Sequence, residues 1–368
     1  MEGETQRIVR LTPLTEVLGR IDATVEAVAP RRMATTRAVG RVLAEDVIGA
    51  TAVPRDARAL RDGFALAADA TSDASSYAPV SLLPPWRVDM GDALPPGTDA
   101  VAPLDMVVER DGQVSVITPI AHGDGVLAVG GDVSAGTVLQ CAGSIVRAAD
   151  AVALVAAGIA EVSVREPQVC VAPARAKHDA VVMAAADLIE VAVAAAGGSP
   201  IRASDLPSAF ADQDADAIIV IGGTGSGHND TSVRALATAG RVEVHGLALS
   251  PGETAAFGTI GPRPVLLVPG RLDAALAVWL TLGRQLLGRL AGLTEELVGS
   301  TAVLSRKHAS PLGLAEVVPV RANGGKAEPI ASGYWPLSAI LRVNGWILVP
   351  ADREGYPAGA EVMLRPWL

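Results

Sequence analysis

Residues 216 to 230 read Asp-Ala-Ile-Ile-Val-Ile-Gly-Gly-Thr-Gly-Ser-Gly-His-Asn-Asp, and no other stretch of the chain restricts its fold so tightly. Ile218, Ile219, Val220 and Ile221 form an unbroken β-branched run. Such a run, with no polar alternation, suits a strand buried on both faces in a parallel sheet covered by helices. It meets four glycines within Gly222–Gly227, then a polar triplet and the start of a helix. Glycines let backbone approach a ligand closely, and a following helix offers free N–H groups to an anionic or polar group. A glycine loop also serves simply to turn a chain, so the string alone leaves both readings open.

At 368 residues the chain exceeds one ordinary core, and two or three domains are expected. Half of it is hydrophobic but only 3% aromatic, so its cores are built from Ala, Val, Leu and Ile, as in α/β layers. Residues 167–297 alternate strands (168–173, 217–222, 242–245, 265–268) with helices (181–196, 231–239, 272–290). That alternation predicts a three-layer α/β domain with a parallel-type sheet and ligands at the carboxyl ends of its strands. Between residues 51 and 145, Gly-Asp, Pro-Pro-Gly and Asp-Gly punctuate short alternating runs and predict an inserted β-rich domain. An N-terminal helical linker domain is expected over 1–50 and 146–166. It holds a helix at 12–28, with Leu14, Val17, Leu18, Ile21 and Val25 on one face, a short helix at 37–47, and an Ala-rich helix at 148–160 stopped by Gly158. Residues 298–368 return to short strands with Gly/Pro turns and predict a small β-barrel or sandwich. The fold class is therefore multidomain α/β plus β.

Charge and cysteine content exclude several functions. Thirty basic and forty acidic residues leave a net charge of −10 with no Lys/Arg cluster, which argues against a nucleic-acid surface. Cys141 and Cys170 lie far apart in apolar settings and are expected as buried reduced thiols. Five scattered histidines lack the spacing of a structural zinc site. The N-terminus lacks the apolar stretch of a signal peptide, and the apolar segment near 272–290 is broken by Asp273, Arg284 and Arg289. A soluble cytoplasmic protein without membrane association is expected.

Several strings, in order, resemble the MoeA/gephyrin family of molybdopterin molybdenumtransferases. Arg61-Asp62-Gly63-Phe64-Ala65-Leu66 is similar to the family's Met-Asp-Gly-Tyr-Ala-Val. Residues 90–101, Met-Gly-Asp-Ala-Leu-Pro-Pro-Gly-Thr-Asp-Ala-Val, resemble its Met-Thr-Gly-Ala motif, and Gly131-Asp132 with Gly136 its Gly-Glu-Asp-x-x-x-Gly. Gly222-Gly223-Thr224-Gly225 resembles the pterin-binding loop, with Asp230 on an acidic position after it. His245-Gly246-Leu247 with Pro251-Gly252 is similar to His-Gly-Val-x-x-x-Pro-Gly. Pro269-Gly270 stands where the family has Pro-Gly-Asn-Pro, and Leu341–Gly345 resembles the run before its last strands.

The resemblance implies insertion of molybdate into adenylylated molybdopterin, with a divalent cation such as Mg²⁺, by an elongated homodimer. It implies Asp62, Asp132 and Asp230 as catalytic acids, with Asp62 and Asp230 holding the metal. It further implies Gly222, Gly223, Thr224, Gly225, Ser226, Pro269 and Gly270 as the cofactor-binding wall, near which His228 lies. Acidic oxygens suit a hard cation, and loop N–H groups suit phosphates. A molybdoenzyme or another cofactor-biosynthesis protein is the expected protein partner.

The departures cluster where an oxyanion would sit. The family's Ser-Thr-Gly-Asp-Glu-Leu after the first α/β strand is here Ala174-Arg175-Ala176-Lys177-His178-Asp179, and its Lys-Pro-Gly-Lys is Ser250-Pro251-Gly252-Glu253. An anion gains from lysine and is repelled by glutamate. Lys177 and Arg271, with Arg175, are therefore read as replacement anion-binding cations. The alternative reading is a non-catalytic protein that binds molybdopterin or the finished cofactor for delivery to an oxidoreductase.

Overall fold

A computed structural model describes residues 6–175, 180–294 and 299–368. The chain divides into two compact units, one of residues 1–45, 142–151 and 161–368, the other of 46–141 and 152–160.

The first unit contains a six-stranded sheet in the order Ser199–Arg202, Gln168–Pro173, Ala217–Ile221, Arg263–Val268, Ala256–Ile260, Arg241–His245. The first four strands are parallel, as the alternation predicts; Ala256–Ile260 runs antiparallel to its two neighbours, so Arg241–His245 at the edge points the same way as the first four. Ala256–Ile260 and Arg263–Val268 are joined through Gly261 (φ 59°) and Pro262, a connection too short for anything but a hairpin. Alternate side chains of the central strand enter different layers. Ile219 and Ile221 pack in a cluster with Ile189, Leu276 and Trp279, while Ile218 and Val220 pack with Leu206, Val233 and Leu236. This two-sided burial produces the unbroken apolar run in the sequence.

The apolar segment at 272–290 is one continuous helical element with a change of winding. It is α-helical over Leu272–Val278, π-helical over Trp279–Gly283 and α-helical again over Arg284–Ala291, and it stops at left-handed Gly292. A Cβ on Gly283 would lie 2.4 Å from the Trp279 ring, so the glycine makes room for that indole. Among the described residues no helix is long and apolar enough to cross a membrane.

The C-terminal strands close into a five-stranded barrel. Ala315–Asn323 pairs with both Lys326–Pro329 and Gly345–Val349, and Ser300–Leu304 and Glu361–Pro366 complete the ring. Leu304, Val318, Val320, Ile347 and Val349 fill it. Leu247–Ser250 pairs in parallel with Ala315–Asn323, and Thr12–Pro13 pairs in parallel with Leu247–Ser250. The start of the chain, the α/β excursion and the barrel therefore share one hydrogen-bonded ladder, a long-range pairing with no local sequence signal.

The second unit is β-rich, as its turn residues predict. It holds one sheet of Trp86–Val88, Gly63–Leu66 and Ala100–Pro103 and another of Val80–Ser81, Gln113–Val116 and Val107–Arg110. Phe64, Leu66, Ala102, Val114 and Val116 share one core cluster.

Three local expectations need correction. The helix expected over 37–47 is a 3-10 turn at Thr35–Arg37 followed by strands Val42–Leu43 and Val47–Ile48. Val42 and Leu43 are buried by pairing with Glu161–Arg165, and that pairing overrides local helix propensity. The helix expected over 12–28 spans only Leu14–Thr24, and Val25 after it is extended but still buried. Cys170 is buried, but Cys141 is exposed.

Candidate functional site: a glycine cradle at the strand ends

Three neighbouring parallel strands end together. The Ala174 N–H donates to Ile221 O at 2.9 Å, and the Gly222 N–H donates to Val268 O at 2.8 Å. Beyond these bonds the chain turns through Gly222 (φ 95°) and Gly223 (φ 70°), a conformation that residues with a Cβ rarely adopt. A Cβ on Gly223 would lie 2.4 Å from Ser232 Oγ, and that hydroxyl donates to Gly222 O at 2.9 Å. The Ser232 N–H donates to Gly223 O at 3.0 Å, so the first turn of helix Ser232–Ala239 clamps the loop. Gly270 faces Gly222 from the next strand, and the two backbones meet in a cradle bordered by the Ala174, Val182 and Ser232 side chains.

Thr224 is 2% exposed, with its hydroxyl 2.9 Å from the Thr254 hydroxyl and its carbonyl 3.0 Å from His245 Nε2. Asp230 accepts the Gly227 N–H at 3.0 Å through Oδ2, and its carboxylate packs against Gly225. Ser226 and His228 are exposed, Pro269 is buried and Gly270 is half-buried. Gln6 lies across the loop, its amide nitrogen donating to Gly223 O at 2.8 Å and to Gly225 O at 2.7 Å.

At the mouth, Arg271 is held in a fork. Its Nε donates to Asp273 Oδ1 at 3.1 Å and its terminal nitrogen to Asp273 Oδ2 at 2.5 Å. Its guanidinium carbon lies 5.3 Å from the Tyr334 ring centroid. Asp273 is 2% exposed and also accepts the Trp335 N–H at 3.1 Å. The hydrogen bonds that Arg271 donates to Asp273 hold its guanidinium above its usual range, against the opposing effect of burial. Glu253, half-buried, accepts the Gly252 N–H at 3.1 Å.

Of the residues singled out in the sequence, Gly222, Gly223, Thr224, Gly225, Asp230, Pro269, Gly270 and Arg271 all belong to the first unit. Asp62 and Asp132 belong to the second, and both are exposed. Asp62 accepts the Met90 N–H at 2.8 Å, and the Asp132 N–H donates to Val53 O at 3.0 Å. Arg175 is exposed, and Lys177 lies outside the described residues. Among the described residues no three His, Cys, Asp or Glu side chains come together as metal ligands. Mg²⁺ is commonly held by one or two carboxylates together with substrate phosphates, a role open to the exposed Asp62 only with substrate bound, and no step is derived through the ion. Sequence reasoning missed Gln6, Ser232 and Thr254. Ser232 sits at the start of a predicted helix, but Gln6 and Thr254 reach the loop only through long-range packing.

Fold and cradle together define a multidomain α/β protein that takes a small ligand at the carboxyl ends of its parallel strands. Residues 12–158 match the MoeA N-terminal region (domains I and II). Residues 179–289 match the "Probable molybdopterin binding domain", and 301–367 match the MoeA C-terminal region (domain IV). The molybdopterin molybdenumtransferase 2 of Mycobacterium tuberculosis is 26% identical over 389 residues, covering 92% of this chain and 96% of that protein. The molybdopterin molybdenumtransferase of Haemophilus influenzae is 24% identical over 380 residues, covering 90% and 92%. The solved structure of a molybdopterin biosynthesis moeA protein from Pyrococcus horikoshii shares the fold, with a TM-score of 0.80 at 24% identity over 97% of this chain and all of that one. The chain belongs to the MoeA family, the molybdopterin molybdenumtransferase family of molybdenum cofactor biosynthesis.

Proposed function

We propose that the chain binds adenylylated molybdopterin in the cradle of Gly222, Gly223, Thr224, Gly225 and Gly270 and inserts molybdate into it. The observation that carries the reading is the close approach of Gly222 and Gly270 at the ends of two adjacent parallel strands, where neither residue adds a side chain. Arg271 stands at the edge of that cradle, half its side chain exposed, with N–H groups beyond those given to Asp273. It is the group assigned to the anionic part of the substrate, where a guanidinium suits phosphate or oxyanion oxygens. Ser226 is assigned to the open rim of the cradle. Asp62, Asp132 and Asp230 are carried as the acidic groups of the reaction on the strength of the family resemblance. A requirement for Mg²⁺ and assembly as a homodimer belong to the same reading.

A second reading, in which the chain carries molybdopterin or finished cofactor without turnover, draws on Glu253 and on the pairing of Arg271 with Asp273. Both lower the net positive charge offered to molybdate. Incubation with adenylylated molybdopterin, molybdate and Mg²⁺, with and without a chelator, separates the two. AMP release and active cofactor are expected. Tight binding without AMP release would replace the transferase by the carrier.

A further inference from the structure

The glycine loop presents a different chemistry from the phosphate cradle expected of it. Two of its carbonyl oxygens, those of Gly223 and Gly225, converge on the single amide nitrogen of Gln6. Only the NH₂ end of that amide can lie between two acceptors, so the orientation of the side chain is fixed by its partners. Gln6 is 7% exposed, and its amide oxygen is buried with no hydrogen-bond partner among the described residues. A buried acceptor left unpaired costs free energy, so the contact is weaker than two hydrogen bonds would otherwise make it.

The segment carrying Gln6 is lightly held. Arg7, Val9 and Arg10 are exposed, with Val9 93% exposed. Residues 6–11 form no helix or strand. The next firm anchors are the packing of Ile8 against Gly246 and the Thr12 N–H bonded to Gly246 O at 2.9 Å.

We propose that the Gly223 and Gly225 carbonyls form a subsite that reads an amino edge of a planar heterocycle, and that Gln6 fills it as the chain's own stand-in until the ligand arrives. The inference rests on the molybdopterin-binding reading and specifies which edge of the ring the loop recognises. A pterin carries a 2-amino group flanked by ring nitrogens N1 and N3 and so presents an NH₂ donor like that of the Gln6 amide. A phosphate or ring oxygen in that position would face two carbonyl oxygens and be repelled. Binding the pterin edge releases the Gln6 strap, and Gln6 competes with the ligand for the two acceptors.

The test titrates molybdopterin, pterin and lumazine into the full chain, into Gln6→Ala and into Gln6→Glu. Lumazine has an oxygen where pterin has the amino group. Gln6→Glu sets carboxylate oxygens against the two carbonyls and expels the strap without shortening the side chain. Both variants are expected to bind molybdopterin and pterin at least fivefold more tightly than the unsubstituted chain, and to prefer pterin over lumazine at least tenfold. Equal affinities in chain and variants, or lumazine bound as well as pterin, overturn the subsite while leaving molybdopterin binding intact. Failure of the chain and both variants to bind molybdopterin overturns the functional reading and the subsite with it. Unfolding curves of the variants that coincide with the parent's show that the strap, not the fold, has changed.

Discussion

A Cβ on Gly270 would stand 3.4 Å from the Cα of Gly222, so the ends of two adjacent parallel strands abut with no side chain between them. The two neighbouring glycine positions answer differently to a methyl group. At Gly270 the added carbon meets Gly222 Cα at 3.4 Å and Val182 Cγ2 at 3.5 Å, which is ordinary contact. Gly270→Ala is expected to fold with stability within about 1 kcal/mol of the parent, yet to lose about tenfold in molybdopterin affinity, roughly 1.4 kcal/mol. At Gly223 the same carbon meets Ser232 Oγ at 2.4 Å with φ at 70°. Gly223→Ala is expected to cost roughly 2 kcal/mol in denaturant unfolding. Equal stability losses at the two positions would contradict this account of the cradle.

Asp273 ties the mouth of the site to the barrel. It is the acceptor for Arg271 and for the Trp335 N–H, and it is almost fully buried. Asp273→Ala leaves the half-exposed guanidinium to water and the Trp335 N–H without its acceptor, and is expected to cost about 1–2 kcal/mol. Arg271→Ala leaves an almost fully buried carboxylate with its backbone donor alone and is expected to cost more, about 3 kcal/mol. It should also weaken binding of the anionic substrate by calorimetry, where unchanged affinity would remove Arg271 from the site. Unfolding of both variants, measured side by side, checks the predicted order.

Glu316 makes a pH prediction inside the barrel. It is fully buried, with His308 Nε2 at 3.0 Å and the Ser332 hydroxyl donating at 2.6 Å. Burial alone would push its carboxyl up, but the hydrogen bonds from His308 and Ser332 outweigh that and leave it below the ordinary value of 4.5. A folded-state pKa depressed below the unfolded one contributes stability that is present above pH 4.5 and lost as pH falls through the folded value. Melting temperatures of the parent and Glu316→Gln should therefore differ most near neutral pH and converge on acidification. A gap that widened below pH 4.5 would reverse the sign of the argument.

The two thiols should separate cleanly. Burial first, then the nearby negative charge of Asp212, pushes the Cys170 thiol up to about 12. Thiolate is the reactive form, so Cys170 is inert at pH 8 while exposed Cys141 is open to reagent. Thiol titration should count one reactive group in the native protein and two after denaturation. Two fast groups in the native state would show that the sheet around Cys170 opens.

The α/β layer was legible because its signals are local. The Ile218–Ile221 run is apolar on both sides because helices cover both faces of its strand, and Gly222 and Gly223 are glycines because the turn after it needs positive φ. Periodicity and turn chemistry carry such information residue by residue. The helix expected over 37–47 failed for the opposite reason, since pairing with Glu161–Arg165 decides the form of Val42 and Leu43. Likewise, the Leu247–Ser250 strand exists by virtue of partners at Thr12 and Ala315.

By itself, then, the sequence determined the layered architecture, the glycine loop and the family to which its motifs belong. Tertiary structure alone decided what the loop faces. Gln6 lies 217 residues from Gly223 and carries no local mark of its role, and Thr254 reaches Thr224 across a separate turn. The pairing of Arg271 with a buried Asp273 adjoins in sequence, yet its burial depends on Tyr334 and Trp335 brought in from the barrel. Local patterning can specify a strand and its turn, because those interactions span a few residues. Which hydrogen-bond acceptors of that turn point outward, and what fills them, depends on contacts between distant segments that form only when the chain has packed.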